Sequence, residues 1–201
     1  FGDGGFAANG LAVRHEGMPG KLSLRAGAAF VRDAKQAFEA ELEASMGTKA
    51  LIDRAGNLGW LRPYVDGRST WTVAVALPRG ATGANASPST LTLRSNLVGT
   101  SLDLPAPLRK PANIALPSTI EADLPMGEGE VRVALGNLAA LRARSHGNQT
   151  GLRVVLGSAR VDEAPPPSGL VATGRAGTLD VVDWIALATT SGGDNKGNDK
   201  S

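Results

Sequence analysis

The chain contains no cysteine. That excludes disulfide staples and thiolate metal sites, though it names no compartment. Histidine is nearly absent as well. With only His15 and His146, a multi-histidine metal site has no ligands to draw on. Aromatic residues make up 4%, too few for a base-stacking nucleic-acid module or an aromatic carbohydrate platform. Formal net charge is +2 and the Arg and Lys residues are scattered, so no basic stripe marks a nucleic-acid footprint. No apolar run approaches the roughly 20 residues needed to span a bilayer as a helix. No signal peptide is visible, and the chain opens on Phe1 rather than Met, which reads as a portion excised from a longer protein.

What is present is alternation. Hydrophobic residues form 42% of 201 positions, enough for one sizeable all-β domain or two small ones. Trp71 to Leu77, Leu91 to Arg94, Ile120 to Leu124, Val131 to Leu135 and Leu22 to Arg25 each follow a period of two. That period puts one set of side chains on a single sheet face. Gly, Pro, Asn and Asp cluster between these runs, as in an antiparallel meander or sandwich. Lys35 to Met46 is rich in helix formers yet alternates strictly, with Phe38, Ala40, Leu42, Ala44 and Met46 on one side and Glu39, Glu41, Glu43 and Ser45 on the other. A helix would scatter those glutamates, so the segment reads as a strand with a charged outer face. Thr48 to Ala55 reads as the one helix, capped by Thr48 and stopped by Gly56, with a further short turn over Asn57 to Leu61 before Pro63. Residues 1–187 read as a single segment. The tail from 188, polar beyond Ser191, reads as a disordered end or linker.

Few residues offer chemistry. Phe1–Gly5 and Gly127-Glu128-Gly129 look like phosphate loops, but neither precedes a helix with a Lys-Ser/Thr pair, so they read as turn glycines. His15 beside Glu16 is a conceivable acid–base pair. It sits at a strand end before Gly17 with no nucleophile placed by motif, so a turn histidine is the plainer reading. Glu39, Glu41 and Glu43 share a face and could hold a hard cation. A solvated face that discourages edge pairing explains them as well. Asn148-Gln149-Thr150 is a formal glycosylation sequon that reads as a turn. That leaves the apolar strand faces. Trp71, Val73, Val75 and Leu77 would form a core in a closed sheet and a greasy trough in an open one, and both readings stand at this point.

The stretch Ser95 to Ala112, SNLVGTSLDLPAPLRKPA, follows an alternating strand and carries Pro105, Pro107 and Pro111. These lack backbone donors, so Leu104 to Ala112 is expected to run extended as a crossover between two strands. SNLVG followed by LDLPAPLRKPA resembles the signature of the YhdP branch of the AsmA-like proteins. Gly67 to Trp71 (GRSTW) resembles that family's strand start. Gly169-Leu170 through Gly174, with Leu179-Asp180-Val181-Val182-Asp183-Trp184, resembles its ending. The match runs over most of residues 11 to 187, with Arg109 and Val182 as departures.

The resemblance implies a mainly β fold: an antiparallel, strongly twisted sheet curled into an open groove, with one or two short helices. It implies a non-enzymatic segment of a long, inner-membrane-anchored chain crossing the periplasm of a Gram-negative bacterium. Its ligand would be phospholipid, carried by the acyl chains towards the outer membrane, with envelope proteins as further partners and no cofactor. On that reading the groove-lining candidates are Phe38, Leu42, Trp71, Val73, Val75, Leu77, Leu91, Leu93, Val131 and Val133. The alternative is a closed-core β-domain of an AsmA-like envelope assembly factor acting through protein partners.

Overall fold

A computed structural model describes residues 4–54, 59–80, 87–125, 129–147 and 149–191. The fold is mainly β, one open sheet of mostly antiparallel strands with two short helices among the described residues. The strands are β1 (Phe6–His15), β2 (Met18–Ala26), β3 (Gln36–Gly47), β4 (Val65–Pro78), β5 (Ser89–Ser95), β6 (Thr100–Leu102), β7 (Ser118–Leu124), β8 (Gly129–Leu135), β9 (Ala139–His146), β10 (Gln149–Leu156) and β11 (Gly169–Gly174). They lie in the order β1-β2-β3-β4-β5-β7-β8-β9-β10-β11, while β6 pairs with the start of β4. Every neighbour pair is antiparallel except β10 and β11. The expected antiparallel sheet is therefore what forms.

Short connections set this topology. Glu16 and Gly17 both take positive φ, 50° and 77°, as a two-residue hairpin between β1 and β2 requires. The one parallel pair needs a crossover, and residues 157–168 supply it. Arg142 Nη1 donates to the Asp162 carbonyl at 3.1 Å and Arg153 Nε to the Ala164 carbonyl at 2.8 Å. A Cβ at Gly151 would collide with the Pro166 carbonyl, so the crossover lies flat on the strand there.

The core gathers at one end of the strands. Ala44, Met46, Ile52, Val65, Trp71, Leu97, Leu102 and Leu116 are buried together. Helix α1 (Thr48–Arg54), the 3-10 turn Gly59–Tyr64, β6 and the proline-rich connection to β7 thus plug that end of the sheet. Two glycines permit the closure. A Cβ on Gly67 would strike the Gly99 carbonyl, and one on Gly99 the Arg68 carbonyl. Both residues have φ near 100°, at 107° and 95°. Leu97 is also left-handed, at φ 52°, a cost that burial of its side chain to 5% offsets.

Three expectations are corrected. Residues 104–112 do connect two strands, β6 and β7, but they are not extended. Leu108 N bonds the Pro105 carbonyl at 3.0 Å, and the chain folds back so that Lys110 exchanges both backbone bonds with Leu102. Prolines removed donors only where the turns left none to satisfy. The second correction is a further helix, α2 (Val181–Ser191). Its Val-Val-Asp-Trp start has little helical propensity, but Asp180 caps it, accepting from Asp183 N at 3.1 Å. The third is Pro63, which lies inside the 3-10 turn rather than beyond it. Gly56 and residues 192–201 lie outside the described residues.

Candidate functional site

Antiparallel register turns the alternation of single strands into rows that cross the whole sheet. One row reads Leu11, Leu22, Leu42, Val73, Leu93, Ile120, Val133, Leu141, Val154 and Ala172, each residue opposite the next. It uses all ten strands of the main path. A second, two residues along, reads Ala8, Leu24, Ala40, Val75, Leu91, Ala122, Val131, Ala143, Leu152 and Leu170. Nine strand spacings of about 4.8 Å make each row roughly 43 Å long.

The opposite face reads differently. Along it run Ser23, Glu41, Ala74, Thr92, Glu121, Arg132, Arg142 and Arg153. The crossover to β11 packs here, through Arg142 and Arg153, so it leaves the apolar face uncovered. Between the crossover and the sheet is a cavity of about 340 Å³, lined by Thr119, Glu121, Arg132, Arg142 and Arg160 among others.

Burial grades outward from the plug, with Leu42, Val73, Leu93 and Ile120 packed against its buried cluster. Leu22, Leu42, Val73, Leu93, Ile120, Val133, Leu141 and Val154 are all half-buried, and so are Val75, Leu91 and Val131. Beyond them Phe38 pairs with Leu77, which is 39% exposed. Trp71, by contrast, is 5% exposed and belongs to the plug. Of the ten candidates, the structure brings Leu42, Val73, Leu93 and Val133 into one row and Val75, Leu91 and Val131 into the next. It puts Phe38 and Leu77 at the far rim and Trp71 inside the closed end. Leu22, Leu24, Ile120, Leu141, Leu152 and Val154 extend the same face and were not among the candidates. Their signal is register, which single-strand periodicity does not contain.

The plug side is a wall with a polar seam. Thr100 is fully buried. Its hydroxyl lies 2.8 Å from Thr48 Oγ1 and 2.6 Å from Ser69 Oγ, and its carbonyl accepts from Lys110 Nζ at 2.7 Å. Lys110 also donates to the Pro111 carbonyl at 2.9 Å, and burial pushes its pKa down from 10.5. The Trp71 indole N–H is buried there without a partner. At the other end of the wall, Trp184 of α2 donates through Nε1 to the Ala106 carbonyl at 2.8 Å.

On the outer face Glu130, with its side chain 2% exposed, sits among Arg132, Arg142 and Arg144. Arg142 Nε approaches its Oε1 to 2.8 Å, without the alignment of a hydrogen bond. Burial raises the Glu130 carboxyl, and the Arg142 contact with the charges of Arg132, Arg142 and Arg144 more than reverses that, leaving it below 4.5. Glu39 and Glu41 are engaged by Arg32, and among the described residues no cluster has the makings of a metal site. His15 ends β1, with Nε2 3.8 Å from Glu16. Asn148 of the sequon and Gly127-Glu128 lie outside the described residues.

The combination defines a class: an open β-sheet with a charged back, a continuous apolar front and a plug along one side. The family model described as YhdP protein matches residues 1–201, and the chain belongs to that family. No curated protein and no solved structure matches it.

Proposed function

We propose that this chain is a non-enzymatic lipid-conducting segment that shelters phospholipid acyl chains on its apolar face. The observation that carries the reading is the unbroken apolar row from Leu11 to Val154, half-buried through its middle yet not closed into a core. Aliphatic side chains on such a face need an apolar neighbour, and each methylene withdrawn from water is worth about 0.8 kcal/mol. An acyl chain is about half as long as the roughly 30 Å hydrocarbon layer is thick. A 43 Å row is therefore long enough for a lipid to move along rather than sit in one pocket. A lining of Leu, Val, Ile and Ala provides no polar contact to trap it. The headgroup stays in water at the rim formed by Phe38 and Leu77, away from the plug.

Family membership supports placing the segment in the periplasm, within a longer inner-membrane-anchored protein that moves phospholipid between the two membranes of the envelope. The test is mass spectrometry of lipids co-purified with the full-length protein. Stoichiometric phospholipid, displaced by detergent, is the expected result. A delipidated protein that neither co-purifies with nor takes up phospholipid would overturn the reading in favour of a scaffold acting through protein partners.

A further inference from the structure

The chain has four phenylalanines, and the three described ones gather at one corner of the sheet. Antiparallel register places Phe6, Ala26, Phe38 and Leu77 opposite one another, as a third row on the front face. This row lies two residues outward from Ala8, Leu24, Ala40 and Val75, at the strand ends away from the plug. Phe30 stands beyond it in the turn that links β2 to β3, its N–H donating to the Gly27 carbonyl at 3.0 Å. That turn lies against the residue before β1, since a Cβ on Gly27 would strike Gly5. Over β5 to β10 the same outer positions hold Ser89, Leu124, Gly129, Ser145 and Thr150, so the aromatic rim ends at β4.

Phe6, Phe30 and Leu77 are 51%, 41% and 39% exposed. Cations stand beside them. Arg79 N donates to the Lys35 carbonyl at 2.7 Å, which holds the two residues side by side. Arg79 Nη2 donates to the Gln36 carbonyl at 3.1 Å, a neutral partner. Asp33 accepts from the Lys35 backbone N–H at 2.9 Å, and Arg32 is taken by Glu41 at 2.9 Å. Lys35 and Arg79 thus keep their charges without an ion pair among the described residues. Exposed apolar side chains flanked by such cations match the surface of an anionic bilayer. There phenylalanine and leucine sink below the headgroups while lysine and arginine meet the phosphates. An acidic protein would answer the cations equally well, but it gives the apolar row no reason to run on inward. From Leu77 the front of β4 continues through Val75 to Val73, so a bilayer seated on this corner joins the trough without an aqueous gap.

We propose that the corner formed by Phe6, Phe30 and Leu77, with Lys35 and Arg79, docks on an anionic phospholipid surface and sets the open rim of the trough against it. The choice of a bilayer as occupant rests on the trough reading above, while the exposed corner itself does not. At β1 to β4 the headgroup layer then replaces bulk water along the rim.

The test uses the full-length protein in phosphatidylcholine nanodiscs, made cysteine-free where necessary. The probes are vesicles of phosphatidylcholine alone or mixed in equal parts with phosphatidylglycerol. Co-flotation measures docking. Uptake of pyrene-labelled phosphatidylglycerol by the same protein in detergent measures loading separately. The unmodified protein should float with the mixed vesicles and bind neutral ones about tenfold or more weakly, as expected for two cations at a charged surface. Phe6→Ser combined with Phe30→Ser should lower binding to the mixed vesicles about tenfold or more. Lys35→Ala combined with Arg79→Ala should erase the preference for them. Both variants should load as the unmodified protein does. A single-site label covers the case in which a variant fails to fold. NBD on Phe30→Cys should shift to the blue on mixed vesicles, and NBD on Ile114→Cys, exposed at the plug end, should not. Undiminished flotation of the folded phenylalanine variant, or equal shifts at 30 and 114, would overturn docking while leaving the trough intact. Normal loading with no flotation of the unmodified protein would also overturn it and favour an acidic protein at this corner. Failed loading with normal flotation would overturn the trough reading alone.

Discussion

Replacing Val75 by aspartate puts a carboxylate in the middle of the apolar face, between Ala40 and Leu91. Whether the protein tolerates it depends on what covers that face. Val75 is half-buried, so the substitution forfeits about 1 kcal/mol of apolar burial, half of what a fully buried valine contributes. Poorer strand preference adds up to about 1 kcal/mol. The carboxylate itself can turn to water through the open front. The total, about 1–2 kcal/mol, is small beside a domain stability of about 5–15 kcal/mol. It corresponds to a fall in melting temperature of roughly 2–8 °C for a chain of this size. Met46 provides the contrast. It is 3% exposed within the plug, where losing the side chain costs about 2–5 kcal/mol and an unpaired carboxylate several more. Thermal unfolding followed by circular dichroism, with protease resistance as a second probe, should show Val75→Asp folded and slightly less stable and Met46→Asp largely unfolded. If Val75→Asp collapses as Met46→Asp does, the face is a closed core and the argument from half-burial is wrong.

Glu130→Gln should destabilise by about 3 kcal/mol in urea melts, because three arginines are left around a neutral group. The Glu130 carboxyl lies below its unfolded value, so its contribution is full above about pH 4.5 and is lost as pH falls through the folded pKa. Acid sensitivity should therefore flatten in the variant. Lys110 has the opposite arithmetic: its folded pKa is depressed, the unfolded chain holds more protons below pH 10.5, and stability should rise with pH towards that value. Subtracting the pH profile of Lys110→Met isolates this rise, and identical profiles would refute it. Trp71→Phe removes a buried N–H that has no partner, a relief of about 1–3 kcal/mol set against a smaller ring. The urea midpoint should stay level or rise, and a fall of more than about 2 kcal/mol would mean that the N–H is paired.

Much of this fold is legible in single strands. The alternation of Phe38 to Met46 overrides its helix-forming composition, because only a strand segregates Glu39, Glu41 and Glu43 from Phe38, Ala40 and Leu42. The apolar strand faces were legible too. Which of their residues face solvent was not. Trp71 and Val73 alternate identically, yet one is buried in the plug and the other is half-buried at its edge, because α1 and the β6–β7 connection return to cover only the end of the sheet. Leu141 and Val154 join the front through register with Val133, which depends on the hairpin at residues 136–138 and on the antiparallel pairing of β9 with β10 rather than on local pattern. The turns within the proline-rich connection escaped because proline fixes φ but leaves ψ free, and the pairing of Lys110 with Leu102 exploits that freedom. Helix α2 was hidden by its valines and is signalled only by Asp180 as a cap.

The trough account predicts that lipid touches one face of this sheet and not the other. Adjacent residues sample the two: Leu93 and Thr92 on β5, Val133 and Arg132 on β8. A photo-reactive amino acid placed at each position in the full-length protein, irradiated in living cells, should cross-link phospholipid at residues 93 and 133 and leave 92 and 132 unlabelled. Equal labelling at all four positions, or protein adducts alone at 93 and 133, would contradict it.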